Sequence, residues 1–223
     1  MRKLASRKIL LYPENEAALR KKCKPVATVN RRVSRLIRDL KHTLNDHADG
    51  IGLAAPQINV HYRVVVVRLG GRNTSEGRRG PATALVNPVI LASGDDRRDF
   101  DGCLSFPGLF GKTVRPHYLR VAGLDERGDP FDRIFEGFDA VLVHHEIDHL
   151  DGVLFIDRIE RLDDLYRIAK DEMDTSVRVP FSVCLPRRVQ GNVARGQESQ
   201  IERELKLAYT NGINSAQLPG KRP

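Results

Sequence analysis

The sequence contains no tryptophan, few cysteines and no apolar run near the roughly 18 residues that a transmembrane helix needs. We therefore expect no membrane partner. The three cysteines, Cys23, Cys103 and Cys184, are odd in number and far apart, unlike the cysteines of a disulfide framework. Their thiols are expected to be reduced, and we predict a cytoplasmic protein.

The chain is basic, and its charge is unevenly distributed. Its 223 residues carry a net charge of +8, and 40% of them are hydrophobic, enough for a core. From residue 175 to the end there are eight Lys and Arg against three Glu, most of the surplus. We predict a folded domain over 1–172 and a basic C-terminal extension over 173–223 that is partly disordered or peripheral. A solvated tail and a tail that binds a polyanion such as RNA both stay open.

Helical periodicity is clearest from Asn30, a candidate N-cap, to Gly50, a candidate stop. Apolar residues recur there at helical spacing: Val33, Leu36, Ile37, Leu40 and Leu44. A second helix is predicted over 137–152 (GFDAVLVHHEIDHLDG), bounded by glycines. Shorter helices are predicted over 161–173 and 200–209.

Strands are predicted at HYRVVVVRLG, at ATALVNPVIL and on both sides of a turn at DERGDP. SGDDRRD (93–99) has the composition of a turn, and VLFIDRI (153–159) that of a short extended segment. Short strands beside a few helices, without regular βαβ alternation, predict an α+β fold.

The segment HHEIDHL at the end of the second helix has three histidines and two acidic residues within seven positions. Residues four apart share a helix face, which pairs His145 with His149 and His144 with Asp148. The first pair forms H-E-x-x-H: two imidazoles suit a divalent metal, and Glu146 can act on water beside them. We prefer this pair, expecting His144 to be a packing or surface residue and Asp148 a hydrogen-bond acceptor that orients the helix. A buried helix with hydrogen-bonded histidines is the alternative.

A catalytic metal site usually has three protein ligands, so a third must come from elsewhere. No histidine follows His149. Glu160 and Glu172 stand in ordinary polar contexts, whereas Cys103 lies in the glycine-rich FDGCLSFPG, where backbone can approach an ion. A thiolate suits Fe²⁺ or Zn²⁺, but a lone cysteine is also often a small buried hydrophobe.

Three segments occur together in a recognisable order: GIGLAAPQ (50–57), GCLS (102–105) and HEIDH (145–149). Their order and approximate spacing resemble those of the peptide deformylases, over about residues 8–172. The resemblance implies an α+β fold with antiparallel β-sheets packed around a central metal-binding helix. It also implies hydrolysis of the N-formyl group on the first methionine of nascent polypeptides, with release of formate.

The resemblance assigns roles to individual residues. It implies one divalent metal, Fe²⁺ in the cell with Zn²⁺ or Ni²⁺ able to replace it, held by Cys103, His145 and His149. Glu146 is implied as the general acid and base. Donors to the oxyanion are implied to be the Gln57 side chain and the Leu104 backbone N–H.

Substrate contacts follow from the same resemblance. Gly52 lets an extended substrate backbone lie close to the chain. Apolar residues at matching positions are expected to form the methionine pocket, although ordinary core is an equal alternative: Ile51, Phe138, Val141 and Leu142. In some relatives a C-terminal helix contacts the ribosome, and the basic extension is a candidate for that contact here.

Two positions depart from the family pattern. Asp101 stands where Glu is usual, and we expect it to pair with Arg115 directly or through water. His144 stands where Gln is usual. Two competing hypotheses are an H-E-x-x-H endopeptidase and a catalytically silent deformylase-like protein that binds peptides or ribosomes.

Overall fold

The computed structural model describes four stretches of the chain: residues 6–70, 80–170, 176–181 and 200–210. Two compact units divide the chain. The first consists of Met1–Arg97 and Arg115–Leu154, and the second of Arg98–Val114 and Phe155–Pro223.

Among its described residues, the first unit contains three α-helices, α1 (Glu16–Leu19), α2 (Arg31–Asn45) and α3 (Gly137–Leu150). Its strands are β1 (Gly52–Ala54), β2 (Val64–Val67), β5 (Pro130–Glu136), most of β3 (Thr83–Gly102) and the C-terminal part of β4 (Leu109–Leu124). β1 pairs with β2, β2 with β3, and β4 with β5, all antiparallel. The register places Gly52 opposite Val67 and Leu119 opposite Phe135.

Helix α2 begins where the sequence predicts. The Asn30 side chain accepts hydrogen bonds from the backbone N–H groups of Arg32 (3.0 Å) and Val33 (3.2 Å), which confirms the N-cap. The helix ends at Asn45, so the predicted stop at Gly50 is wrong. The chain turns earlier, and the Gly50 N–H closes a separate turn onto the carbonyl of His47 (2.9 Å).

The predicted strands are present, and the hairpin of β4 and β5 is confirmed. Its turn is held by the Asp125 side chain, which accepts from the N–H groups of Arg127 (2.8 Å) and Asp129 (2.9 Å). The predicted turn at residues 93–99 is wrong, because these residues continue β3. Their polar composition is that of a solvent-exposed strand, and Asp95 takes a left-handed φ of 57° within it.

Helix α3 confirms the predicted helix over 137–152 and stops at a glycine. Gly152 has a φ of +76°, and the following N–H, of Val153, returns to the carbonyl of Asp148 (2.9 Å). A Cβ at Gly152 would lie 2.1 Å from the carbonyl oxygen of Arg20. Both the backbone conformation and the available space therefore require glycine there.

The core of the first unit lies between α3 and the strands. One cluster of buried residues draws on both: Cys23, Ala54, Val65, Val67, Leu85, Leu119, Val121, Phe135, Ala140, Leu142, Val143, Ile147 and Leu150. Apolar residues from the sheet and from both halves of α3 thus bury one another, which positions the polar side chains on the second half of the helix.

The second unit contains β6 (Leu165–Lys170), β7 (Ser176–Pro180), α4 (Gln200–Thr210) and the N-terminal part of β4. β6 pairs antiparallel with Leu109–Gly111 of β4 and with β7. Helix α4 confirms the short helix predicted over 200–209, with Ile201 and Leu205 buried.

Two predictions in this unit are wrong. Residues 161–173 were expected to be helical, but Leu162–Asp164 form one 3₁₀ turn and β6 follows. Burial alternates along β6, because Leu165 and Arg167 are buried while Tyr166 is only partly so. The segment 153–159 contains a 3₁₀ turn at Phe155–Arg158 instead of extended chain. The end of the predicted helix, 171–173, lies outside the described residues.

The antiparallel strand pairs together with α2 and α3 confirm a mixed helix and antiparallel-sheet fold. Among the described residues, no helix is both long and apolar enough to span a bilayer.

We predict that Gly152→Ala lowers the free energy of unfolding by about 3 kcal/mol, since the new methyl group would meet Arg20 backbone and the left-handed φ would be strained. Gly137→Ala is the matched control: its φ is +55° but nothing lies within 4 Å of the added Cβ. It should cost only about 1 kcal/mol. Urea unfolding measures both, and equal losses would contradict the role of the close contact.

Candidate metal centre

Helix α3 carries four polar side chains that are buried: His145, Glu146, Asp148 and His149. Burial of such groups is costly unless each has a polar partner or a ligand. The rings of His145 and His149 lie with their centroids 5.1 Å apart and their planes at 72°. The helix therefore presents two imidazoles side by side, as four-residue spacing requires.

Arg115, on β4, reaches into this polar helix surface, and its side chain is only 1% exposed. Its Nη1 donates to Oδ2 of Asp148 at 2.7 Å and lies 2.7 Å from Nδ1 of His144. Its Nη2 lies 3.4 Å from Nδ1 of His145. Asp148, predicted to be an acceptor that orients the helix, accepts from this guanidinium.

His144 was expected to be a packing or surface residue, and its contact with Arg115 was missed. Its side chain is 12% exposed, so it is neither a surface group nor a purely apolar packing element. The one signal in the sequence was its four-residue spacing from Asp148, which places both residues on the same face of α3. That both would face an arginine on β4 is a tertiary fact.

Cys103, His145 and His149 form a group that can hold a metal ion. One ligand atom from each, the thiol sulfur and two ring nitrogens, lie within 4.8 Å of one another. Cys103 lies in the turn between β3 and β4, which is closed by a hydrogen bond from the Phe106 N–H to the Cys103 carbonyl (2.9 Å). A thiol and two imidazoles are a donor set that suits Fe²⁺ and Zn²⁺.

The other candidates for the third ligand are less suitable. Glu160 Oε2 accepts a hydrogen bond from Arg98. Glu172 and Cys184 lie outside the described residues. Cys23 lies in the core of the first unit, where burial raises the pKa of its thiol to about 11. Its thiol therefore stays protonated at neutral pH and is a poor ligand.

Glu146 lies against the backbone of β1. A Cβ built at Gly52 would lie 2.2 Å from Oε1 of Glu146 and 2.9 Å from Cδ1 of Leu142. A side chain at position 52 would thus occupy the place of the carboxylate. The glycine of β1 is what allows the Glu146 carboxylate and this strand to be in contact.

Gln57 lies in the 3₁₀ turn Ala55–Ile58 that follows β1, and it is buried. Its Oε1 accepts a hydrogen bond from the N–H of Ala54 (2.8 Å). Because the oxygen end of the amide is used in this way, the other end is the NH₂ donor group. Leu104, partly buried, directly follows Cys103 in its turn.

The remaining predicted site residues have these positions. Asp101 is buried, and its carboxylate accepts from the N–H of Gly102 (2.8 Å) and the hydroxyl of Thr113 (3.2 Å). Its pairing with Arg115 stays a prediction. Among the residues of the expected methionine pocket, Val141 and Leu142 are buried, and Ile51 and Phe138 are partly buried. The pocket itself stays a prediction.

Comparisons with known proteins bear on this arrangement. A family model described as polypeptide deformylase matches residues 6–164. The chain is 40% identical over 176 residues to a peptide deformylase of Dehalococcoides mccartyi, covering 78% of this chain and 99% of that protein.

Solved structures agree. A peptide deformylase from Legionella pneumophila matches with a TM-score of 0.62 at 40% identity, covering 71% of this chain and 88% of that one. A class I type b peptide deformylase from Acinetobacter baumannii, with Met-Ala-Ser bound, matches with a TM-score of 0.63 at 28% identity, covering 70% of this chain and 100% of that one. Since the family model spans most of the sequence and the relatives match over nearly their whole length, this chain belongs to the peptide deformylase family.

Proposed function

We propose that this chain carries out the reaction of its family at the group formed by Cys103, His145 and His149. The reaction is hydrolysis of the N-formyl group on the N-terminal methionine of a nascent polypeptide, with release of formate. The observation that carries the proposal is the convergence of these ligand atoms to within 4.8 Å. The membership of the chain in the family supplies the reaction class.

One divalent ion fits this donor set: Fe²⁺ in the cell, with Zn²⁺ or Ni²⁺ able to replace it. Three protein ligands are the number typical of a catalytic site, which keeps one position for water or substrate. When bound, such an ion polarises the scissile carbonyl and lowers the pKa of water in the site.

Glu146 is the proposed general acid and base. It takes a proton from the water whose oxygen attacks the formyl carbon, and it gives that proton to the amine nitrogen as the C–N bond breaks. Its burial and its contact with β1 support this role, because a carboxylate held against the strand is already placed beside a substrate that lies there.

Gln57 and the backbone N–H of Leu104 are the proposed donors to the oxyanion that forms during attack. The hydrogen bond from Ala54 to the Gln57 oxygen supports the first of these roles, since it leaves the NH₂ group as the donor end. Donors fixed before the reaction stabilise developing charge without reorganisation, and each is typically worth about 10²–10³ in rate.

The substrate is proposed to lie extended beside β1, near Gly52, with its methionine side chain among the apolar residues Ile51, Phe138, Val141 and Leu142. The solved deformylase from Acinetobacter baumannii has Met-Ala-Ser bound, a peptide that begins with methionine. A pocket formed in part by α3 would place the first residue of such a peptide close to Glu146.

We also infer that the antiparallel sheets pack around α3 as the metal-bearing helix, and that residues 1–172 form the catalytic domain. The family match ends at residue 164, which supports this boundary. Asp101 and Arg115 are proposed to pair and to orient the ligands, together with Asp148. The protein is proposed to act in the cytoplasm, because nascent polypeptides and reduced thiols are found there. Cell fractionation would test this.

Glu146→Gln is expected to lower formate release from formyl-Met-Ala-Ser by about 10²–10⁴, because the variant keeps the shape of the side chain but cannot take a proton. Metal content should be unchanged, since Glu146 is not a proposed ligand. Glu160→Gln, at the rejected ligand candidate, should keep full activity. Formate release at the wild-type rate in a metal-loaded Glu146→Gln variant would refute the assigned base. Cleavage of internal bonds in an unblocked peptide would favour the endopeptidase.

Gly52→Ala should lower kcat/KM by roughly 10², because the added methyl group displaces the Glu146 carboxylate by about an ångström or more. Gly94→Ala is the matched control, since nothing lies within 4 Å of its added Cβ. Metal content and Tm identify any loss that is due to unfolding. Unchanged kcat/KM in Gly52→Ala would contradict the placement of Glu146 against β1.

The basic extension, 173–223, is proposed to contact the ribosome, supported by its surplus of positive charge. Replacing Arg187 and Arg188 with Gln should weaken co-sedimentation with ribosomes and flatten its salt dependence, while formate release stays unchanged. Replacing two exposed arginines of the catalytic domain, Arg31 and Arg127, removes the same charge and should have a smaller effect. Equal effects of the two double variants would show that the contact with the ribosome is nonspecific.

A further inference from the structure

We propose that His144 is a positioning residue of the metal centre. Together with Asp148 it fixes the guanidinium of Arg115, and through that group it holds the imidazole of His145 in place. The inference rests on the proposed function, because it assumes that His145 binds the ion.

The geometry at Arg115 is that of one donor shared by two acceptors. Nη1 of Arg115 lies 2.7 Å from Nδ1 of His144 and 2.7 Å from Oδ2 of Asp148. The two acceptor atoms are 3.7 Å apart, so they are not hydrogen-bonded to each other. A guanidinium Nη carries two hydrogens, and one can point to each acceptor.

The chemistry of arginine fixes the role of the imidazole. A guanidinium only donates, so the nitrogen of His144 that faces it is an acceptor. His144 therefore acts here through a lone pair, a function that an apolar side chain of similar size cannot perform.

Burial makes this lone pair matter. The side chain of Arg115 is 1% exposed, that of Asp148 9% and that of His144 12%. Water has little access to replace a lost acceptor, and an unsatisfied buried donor is costly. Without the lone pair of His144, the Nη1 group of Arg115 would lose one of the two acceptors that lie 2.7 Å from it.

Movement of the guanidinium would reach His145, a proposed metal ligand. Nη2 of Arg115 lies 3.4 Å from Nδ1 of His145. Arg115 thus contacts α3 at three residues, His144, His145 and Asp148, and the second proposed ligand, His149, directly follows the last of them in the chain. Groups that orient metal ligands in this way typically change metal affinity by 10–100-fold when they are lost.

Two substitutions of nearly equal shape separate positioning from packing. In His144→Asn the Oδ1 atom can take the place of Nδ1 and accept from Arg115, whereas His144→Leu has the same branching without an acceptor. Leucine has the higher helix propensity and suits a largely buried position. If His144 only fills space, the leucine variant should therefore be at least as stable as the asparagine variant and bind Zn²⁺ at least as tightly.

The test is the Zn²⁺ affinity of the full chain, measured by competition with a chelator, together with the Tm of the metal-free protein. We expect His144→Leu to bind Zn²⁺ about 10-fold or more weakly than the wild type, and His144→Asn to stay close to it. The metal-free Tm should show that both variants are folded at the temperature of the Zn²⁺ measurement, so that a loss of affinity does not come from unfolding. Val143→Ala, a core change on the same helix, should lower Tm without this loss of affinity.

Equal Zn²⁺ affinity in the two His144 variants, whether kept or lost, would overturn the proposal, because the acceptor would then make no difference. This outcome is separate from failure of the proposed function. A wild-type protein that binds Zn²⁺ but releases no formate refutes the function, whereas a difference between the two variants in Zn²⁺ binding would still support the positioning role.

Discussion

The buried ion pair between Arg115 and Asp148 is the interaction on which the setting of helix α3 depends. Its atoms are 2.7 Å apart, and both side chains are largely removed from water. Such a pair contributes little net stability, because desolvation offsets most of the attraction, yet removal of one partner typically costs about 3–5 kcal/mol. The pair is therefore better understood as a device that selects one arrangement of the helix.

Helix α3 needs such a device because its C-terminal half is polar on more than one face. His145 and His149 face one direction, His144 and Asp148 another, and Glu146 contacts β1. Ile147 and Leu150 bury one side of this half in the core, but hydrophobic burial is not directional and does not fix how the polar side chains are oriented. Hydrogen bonds are directional, and the guanidinium of Arg115 supplies them at defined points.

Glycines determine how closely the backbone approaches this helix. Gly152 ends α3 in a left-handed conformation and leaves room for the carbonyl of Arg20, while Gly52 leaves room for the Glu146 carboxylate. The two positions need glycine for different reasons, since only Gly152 has a positive φ. At Gly52 the constraint is space alone, because the Glu146 carboxylate, to which we assign proton transfer, lies where a side chain would be.

Local patterns in the sequence determined the helix α3, the cap of α2 and the pairing of His145 with His149, because helical geometry relates residues only a few positions apart. Local patterns failed at 93–99 and 161–170, where polar or short apolar segments suit several structures and pairing with distant strands decides. Local patterns did not predict that Cys103 lies close to the two imidazoles. The family resemblance predicted it, and in the structure the three ligand atoms lie within 4.8 Å of one another. The contact of His144 with Arg115 came from the tertiary structure alone, since the placement of β4 beside α3 decides which helix residues an arginine distant in the chain can reach.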